Sequence, residues 1–315
     1  MHTVYFDSNA SDALRRQQLY GGQLFVFSPR PSTRALCELA RQMIEEAFGS
    51  IDPLKAQYHM SVEEYVAIVA PLKPKFIHHP ETKRLIRNVL ADLGCDLEKT
   101  YQDVPRLRMV TSHGYLTSGV GYAHHPHRDT WYSAPMCQLN WWIPVYGIES
   151  ECSMAFHPRY WNRPVRNSSD KFNYYRWNSE GRAQAAQHIK SDTRQQPKPL
   201  EEVELEPQIR LITEPGGIVL FSAAQLHSTV PNTSGFARYS MDFRTVHYDD
   251  VVAKGGAANI DSACTGTSLR DFVRSSDLAQ LPEEIVSLYD QGAPVEGALV
   301  FRPENAVVAG RTTGS

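Results

Sequence analysis

The chain reads as an α+β protein, mainly β in its centre with flanking helices, in which a helical N-terminal region precedes an antiparallel sheet that rolls or closes. Three observations predict this. Apolar residues recur at three- and four-residue steps through 32–48, 61–69 and 80–93, the spacing of one buried helix face. From about Arg106 the texture changes to short runs of branched and aromatic residues bounded by Gly, Pro and Asn, which is strand chemistry. No helical pattern separates those runs, so successive strands pair antiparallel instead of through helical crossovers.

The first predicted helix runs over 32–48, with Ser32 or Thr33 as its cap and Gly49 as its stop. The second starts at Ser61, where Ser61-Val62-Glu63-Glu64 has the form of a capping box, and the third runs from Pro80 to a stop at Gly94. Strands are predicted at 107–112, 136–146, 209–213, 218–222 and 236–246, and a helix at 282–289. Between the strands, residues 156–200 form a long polar and aromatic excursion, the length of a lid or binding loop. The expected organisation is one domain over 1–315: helical support at 1–104, a β core at 105–250 carrying that insert, and a C-terminal extension at 251–315.

Composition excludes several function classes. Hydrophobic residues make up 42% and charged residues 21%, proportions that bury a core and argue against disorder. A formal net charge of -3 gives no basic surface for nucleic acid. Five cysteines, Cys37, Cys95, Cys137, Cys152 and Cys264, form no CxxC pair, so free thiols in a reducing cytoplasm are expected. The N-terminus lacks the pattern of a signal peptide and no apolar run approaches the ~20 residues of a membrane span, so a cytoplasmic location without membrane association is expected.

The chemistry concentrates in His127-Arg128-Asp129 and a distant His227. Two imidazoles and a carboxylate are the ligand set that holds ferrous iron on one face and leaves the other face open. Alternate residues of an extended strand point the same way, so His127 and Asp129 are expected to converge on one ion. If 232–235 forms a hairpin loop, Pro231 lies opposite Phe236 and His227 opposite Ser240, which puts His227, Arg238 and Ser240 on one face. The guanidinium of Arg238 suits a carboxylate, whose two oxygens its fork binds together. Gln138 and Asn140 alternate along the strand before the excursion, and two inward amides need a ligand, a partner or water.

These residues together resemble a known family. His127-x-Asp129, Gly217-Ile218-Val219-Leu220-Phe221-Ser222, Leu226-His227-Ser228 with Pro231-Asn232-Thr233-Ser234, and Arg238-Tyr239-Ser240 resemble the Fe(II)/2-oxoglutarate-dependent dioxygenases of the phytanoyl-CoA dioxygenase type. The likeness covers roughly 106–246, and Arg238 follows His227 by the eleven residues usual in that family. It implies a double-stranded β-helix, the jelly-roll or cupin-like barrel, with iron on His127, Asp129 and His227. It also implies 2-oxoglutarate on Arg238 and Ser240, and O2 as the oxidant. The halogenating branch of this superfamily has Gly or Ala in place of the carboxylate, so Asp129 favours hydroxylation, desaturation or cyclisation of a small molecule.

Plainer readings stand beside this one. His125-x-His127 could form a cupin-type pair, and a metal-retaining cupin-like binder without redox chemistry is the non-enzymatic alternative. A Jumonji-type protein hydroxylase of the same fold is the other. Tyr160, Trp161 and Arg163 in the excursion are candidates to close over an anionic or aromatic substrate, or else they pack the loop against the barrel. Arg108 is a further substrate candidate or a surface ion pair, and Asp242 with Arg244 reads as a structural pair. His78, His79 and His247 read as structural or exposed. A monomer and a homodimer are equally compatible with the sequence.

Overall fold

The computed structural model describes residues 3–121, 124–181 and 194–290. It begins with a strand and helix that periodicity does not reveal: β1 (Val4–Phe6), α1 (Asp12–Tyr20) and β2 (Leu24–Phe27), with β1 and β2 paired in parallel. All four residues of β2 are buried, so the run lacks the alternation that marks a half-exposed strand.

α2 (Pro31–Phe48) buries Leu36, Cys37, Ala40, Met43, Ile44 and Phe48. Its N-cap is Arg30 and not Ser32 or Thr33, because Pro31 takes the first helical position and the Thr33 hydroxyl reaches back to accept the Arg30 N–H at 2.9 Å. Gly49 at φ 62° and Gly94 at φ 71° follow α2 and α4 as predicted. α3 (Val62–His78) has the capping box of Ser61 and Glu64 but runs well past Val69, through Pro71 and Pro74. Both prolines are exposed, while Val69, Leu72 and Phe76 carry the buried stripe onward. α4 (Pro80–Asp92) completes the helical layer.

The remaining elements are β3 (Thr100–Gln102), β4 (Arg106–Val110), β5 (Leu139–Pro144), β6 (Met154–Phe156), α5 (Tyr174–Arg176), β7 (Ile209–Arg210), β8 (Ile218–Ser222), β9 (His227–Thr229), β10 (Arg238–His247), α6 (Tyr248–Val252), β11 (Val273–Arg274) and α7 (Glu283–Val286). One eight-stranded sheet, antiparallel except for β1 and β2, follows the order β1-β2-β8-β5-β10-β3-β11, with β4 also paired to β10. A second sheet of three strands has the order β7-β6-β9. The protein is thus mixed α+β, with no closed ring of strands among the described residues.

β10 organises the site. It pairs with β5 along one edge and with β4 and then β3 along the other. Its odd residues Tyr239, Met241 and Phe243 join α2, α3 and α4 in the largest apolar cluster, which leaves the even ones, Arg238, Ser240, Asp242 and Arg244, on the opposite face. The predicted hairpin of β9 with β10 does not form. β9 pairs with β6 in the smaller sheet, and Ser240 lies in register with Arg108 and Pro144 instead of with His227. The chain between them crosses from one sheet to the other, pinned by Asn232, whose amide donates to the carbonyls of Val110 (3.0 Å) and Phe236 (2.8 Å).

Residues 291–315 of the predicted C-terminal extension lie outside the described residues, as do residues 182–193 of the excursion. All five cysteines are free thiols. No described helix is long and apolar enough to cross a membrane.

Candidate metal centre

His127 and His227 are joined through their backbones before their side chains meet. The His127 N–H donates to the His227 carbonyl at 2.9 Å and the His227 N–H returns the bond at 3.0 Å, an isolated antiparallel bridge outside the named ladders. The ring centroids then lie 4.4 Å apart. Asp129 does not share a strand with His127 as the alternation argument requires. It opens a 3-10 turn, Asp129–Tyr132, and that turn swings its carboxylate back toward both rings.

One ligand atom from each of His127, Asp129 and His227 lies within 4.8 Å of the other two, and all three residues are buried, so the trio can hold a metal ion. Asp129 Oδ1 is 3.4 Å from His127 Nε2 and 4.0 Å from His227 Nε2. The two imidazoles are oriented alike: His127 Nδ1 lies 2.8 Å from the His125 carbonyl and His227 Nδ1 3.0 Å from the Gln225 carbonyl. A carbonyl only accepts, so each Nδ1 carries the proton and each Nε2 presents a lone pair to the common centre. Burial, reinforced by His127, pushes His227 down to about 3, so the ring is neutral and ready to ligate at ordinary pH. Burial opposes ionisation of Asp129, but Arg244 outweighs it together with the two histidines and holds the carboxyl well below its usual range.

A strut behind the ligands fixes their loop. Arg128, between the two, turns away and pairs through Nε with Asp261 at 3.0 Å, and its remaining N–H groups meet the carbonyls of Ala224, Tyr160 and Arg163. Asp261 also accepts from Trp131 Nε1 at 2.8 Å and from the Val165 N–H at 3.0 Å. This ties the ligand-bearing turn to the excursion.

The triad opens into a cavity of about 610 Å³. Of the residues anticipated from sequence, Arg108, Gln138, Asn140 and Arg238 line it, and Ser240 sits fully buried between Arg238 and Asp242. Gln138 Nε2 donates to Asn140 Oδ1 at 3.0 Å. Arg238 donates to the Cys152 carbonyl at 3.1 Å and lies over the Trp142 ring at 5.6 Å, and no carboxylate among the described residues comes within 4.0 Å of it. Burial pushes its guanidinium down to about 10, still charged at neutral pH. Its Nε and the Ser240 hydroxyl have no hydrogen-bond partner among the described residues.

Other expectations need correction. Tyr160, Trp161 and Arg163 do not line the cavity. The Tyr160 hydroxyl accepts the Glu204 N–H at 2.9 Å, Arg163 stacks on the Tyr160 ring at 5.4 Å, and Trp161 packs on Gly22, where an added Cβ would come within 2.6 Å of the indole. Their side chains fasten the excursion to the fold. His125 does not join the trio that can hold a metal, and its Nε2 is engaged by the Pro197 carbonyl at 2.8 Å. Asp242 pairs with Arg108 at 2.7 Å, and Arg244 pairs with Asp103 at 3.0 Å and faces Asp129 at 3.4 Å, so the expected Asp242–Arg244 couple is divided between other partners. Lys73 of α3 and Asp103 after β3 line the cavity without having been anticipated, since the packing of α3 on β4 brings the first there and the pairing of β3 with β10 the second.

No family model and no curated relative matches the chain. Among solved structures it is similar to EvdO2 from Micromonospora carbonacea var. aurantiaca, at 13% identity over 76% of this chain and 92% of that one, with a TM-score of 0.44. EvdO2 has also been crystallised with 2-oxoglutarate. It is similar too to SnoK, a non-haem α-ketoglutarate-dependent carbocyclase from nogalamycin biosynthesis, at 14% identity over 92% and 95%, with a TM-score of 0.39. The epimerase SnoN, in complex with Fe3+, α-ketoglutarate and nogalamycin RO, shares 13% identity over 75% and 85%, with a TM-score of 0.36. SnoK and SnoN are α-ketoglutarate-dependent non-haem enzymes; at such identities and scores the reading of the site rests on its own geometry.

Proposed function

We propose that the protein is an Fe(II)/2-oxoglutarate-dependent oxygenase acting on a small molecule, with the metal on His127, Asp129 and His227. The donor set fits ferrous iron: two neutral imidazoles and one ionised carboxylate on one side, with the cavity on the other. With dioxygen, the bound iron and 2-oxoglutarate supply oxidation of an unactivated C–H bond coupled to release of succinate and CO2. The observation that carries the co-substrate assignment is Arg238, a buried guanidinium with an unsatisfied Nε beside an unsatisfied Ser240 hydroxyl. A buried cation without a counter-charge is unfavourable unless an anion completes it, and a distal carboxylate does so through two parallel hydrogen bonds.

The rest of the chain supports the same chemistry. Arg244 holds the Asp129 carboxylate ionised and oriented, and the His125 and Gln225 carbonyls fix the ring tautomers. Gln138 and Asn140 offer amides to the co-substrate from the β5 side. Phe172, Tyr174 and Trp177 of the excursion line the cavity and exclude water, which favours a small molecule over a peptide laid in an open groove. In this reading the larger and smaller sheets are the two walls of a double-stranded β-helix, and the motif pattern of 106–246 supports the phytanoyl-CoA dioxygenase type.

The test is succinate formation from 2-oxoglutarate in the presence of Fe(II) and O2. The wild type is expected to form it, and Asp129→Ala to fall to the protein-free background; equal turnover in the two would remove the proposal.

A further inference from the structure

The cavity carries more positive charge than the proposed metal and co-substrate use. Lys73, Arg106, Arg108, Arg194, Arg238 and Arg244 line it, against the three carboxylates of Asp103, Asp129 and Asp242. Most of these cations are already matched. Arg106 and Arg244 share Asp103 at 2.6 and 3.0 Å, Arg108 holds Asp242 at 2.7 Å, Arg194 stacks on Trp177 at 5.1 Å, and Arg238 has the role proposed above.

Lys73 is placed differently. It lies with Ala70, Pro74 and Ile77 on the edge of α3 turned to the cavity, away from the buried stripe of Val69, Leu72 and Phe76. Its ammonium donates to the Val120 carbonyl, and no carboxylate among the described residues lies within 4.0 Å of it. An ammonium has three N–H donors, and one is committed. Burial, with Arg108 and Arg194 adding to it and Asp242 opposing it, pushes the amine down to about 7. An anion arriving beside Lys73 would relieve that penalty. Elsewhere the same cavity is aromatic: the Phe172 ring lies 5.3 Å from that of Tyr132 and 6.0 Å from that of Trp177, with Tyr174 nearby in the lining.

We propose that Lys73 is the substrate-recognition residue of this cavity, binding a carboxylate or phosphate on an aromatic substrate whose ring packs against Phe172, Tyr174 and Trp177. This deepens the oxygenase reading by naming the class of its substrate, but the binding itself does not require turnover. Three probes of one shape separate the contributions: 2-naphthoate, 2-naphthyl phosphate and the neutral 2-naphthamide. They are titrated calorimetrically into the full chain under anaerobic conditions with Fe(II) and 2-oxoglutarate present. At least one anion is expected to bind about tenfold to a hundredfold more tightly than the amide. Lys73→Met should remove that preference while leaving the amide affinity in place, Lys73→Arg should keep it, and the stronger anion identifies carboxylate or phosphate.

Four outcomes overturn the proposal: the amide binding as tightly as both anions, no probe binding at all, a preference that survives Lys73→Met, or one lost in Arg238→Met instead. The visible absorption of the iron and 2-oxoglutarate complex, recorded on the same samples, reports separately on the oxygenase reading. A Lys73-dependent preference without that absorption sinks the oxygenase reading and leaves this one standing.

Discussion

Arg238 and Arg244 lie six residues apart on one face of one strand, both lining the same cavity, yet their surroundings are opposite. Arg244 is held by Asp103 and faces Asp129, and its pKa is raised because those carboxylates outweigh the cost of burial. Arg238 has no carboxylate within 4.0 Å among the described residues, and burial lowers it to about 10. The period of two sets both side chains into the cavity, but only the neighbouring strands decide which charge is completed by the fold and which waits for a ligand. A satisfied buried ion pair belongs to the architecture, whereas an uncompensated buried cation marks a binding position.

That contrast can be broken from either end. Arg238→Met is expected to raise the KM for 2-oxoglutarate about a hundredfold, the loss of a charge-assisted pair of roughly 2–3 kcal/mol, with iron affinity unchanged. Steady-state kinetics and an iron titration check both halves, and a parallel fall in iron affinity would show that Arg238 also supports the metal. Arg244→Met is expected to act in the other sense. Asp129 loses the cation that orients it, so iron affinity falls about 10–100-fold, the usual effect of removing a group that supports a metal ligand. The melting temperature of this variant should also fall, because Asp103 and Asp129 lose a buried counter-charge.

A smaller effect concerns Lys73, whose charged neighbours are Arg108 on β4, Asp242 on β10 and Arg194. Its folded pKa of about 7 lies below the ordinary 10.5, so between those values the unfolded chain binds more protons than the folded one. Stability must therefore rise with pH across that window, and the contribution is lost as pH falls back through 7. The difference in melting temperature between wild type and Lys73→Met should follow that course; a difference independent of pH would mean that the amine is not depressed. The smallest effect is expected at Arg163→Ala, where kcat/KM should stay within about twofold of wild type, because the exposed side chain stacks on Tyr160 outside the cavity.

Much of the site is legible in the sequence because its spacing rules are local. His127 and Asp129 are neighbours in the chain, Arg238 to Arg244 share a face by strand parity, and Gly49 and Gly94 mark helix ends. What stays hidden depends on which elements meet. Opposing β9 to β10 as a hairpin is the simplest reading of the turn signals at 232–235, but the two strands belong to different sheets and Asn232 pins a crossover between them. Asp129 reaches the metal position from a 3-10 turn, which a two-residue spacing does not distinguish from a strand. Tyr160, Trp161 and Arg163 have the aromatic and cationic character of a substrate lid, but the buried strut of Arg128 and Asp261 fastens their segment behind the ligands. Lys73 carries no local signal, because its role depends on the docking of α3 against β4.

The most direct test of the account is the anaerobic titration of 2-oxoglutarate into the Fe(II)-loaded protein, followed by visible absorption. A saturable charge-transfer band is expected in the wild type, to require much higher 2-oxoglutarate in Arg238→Met, and to be absent in Asp129→Ala. No band in the wild type at saturating iron and 2-oxoglutarate, or an identical titration in Arg238→Met, would contradict it.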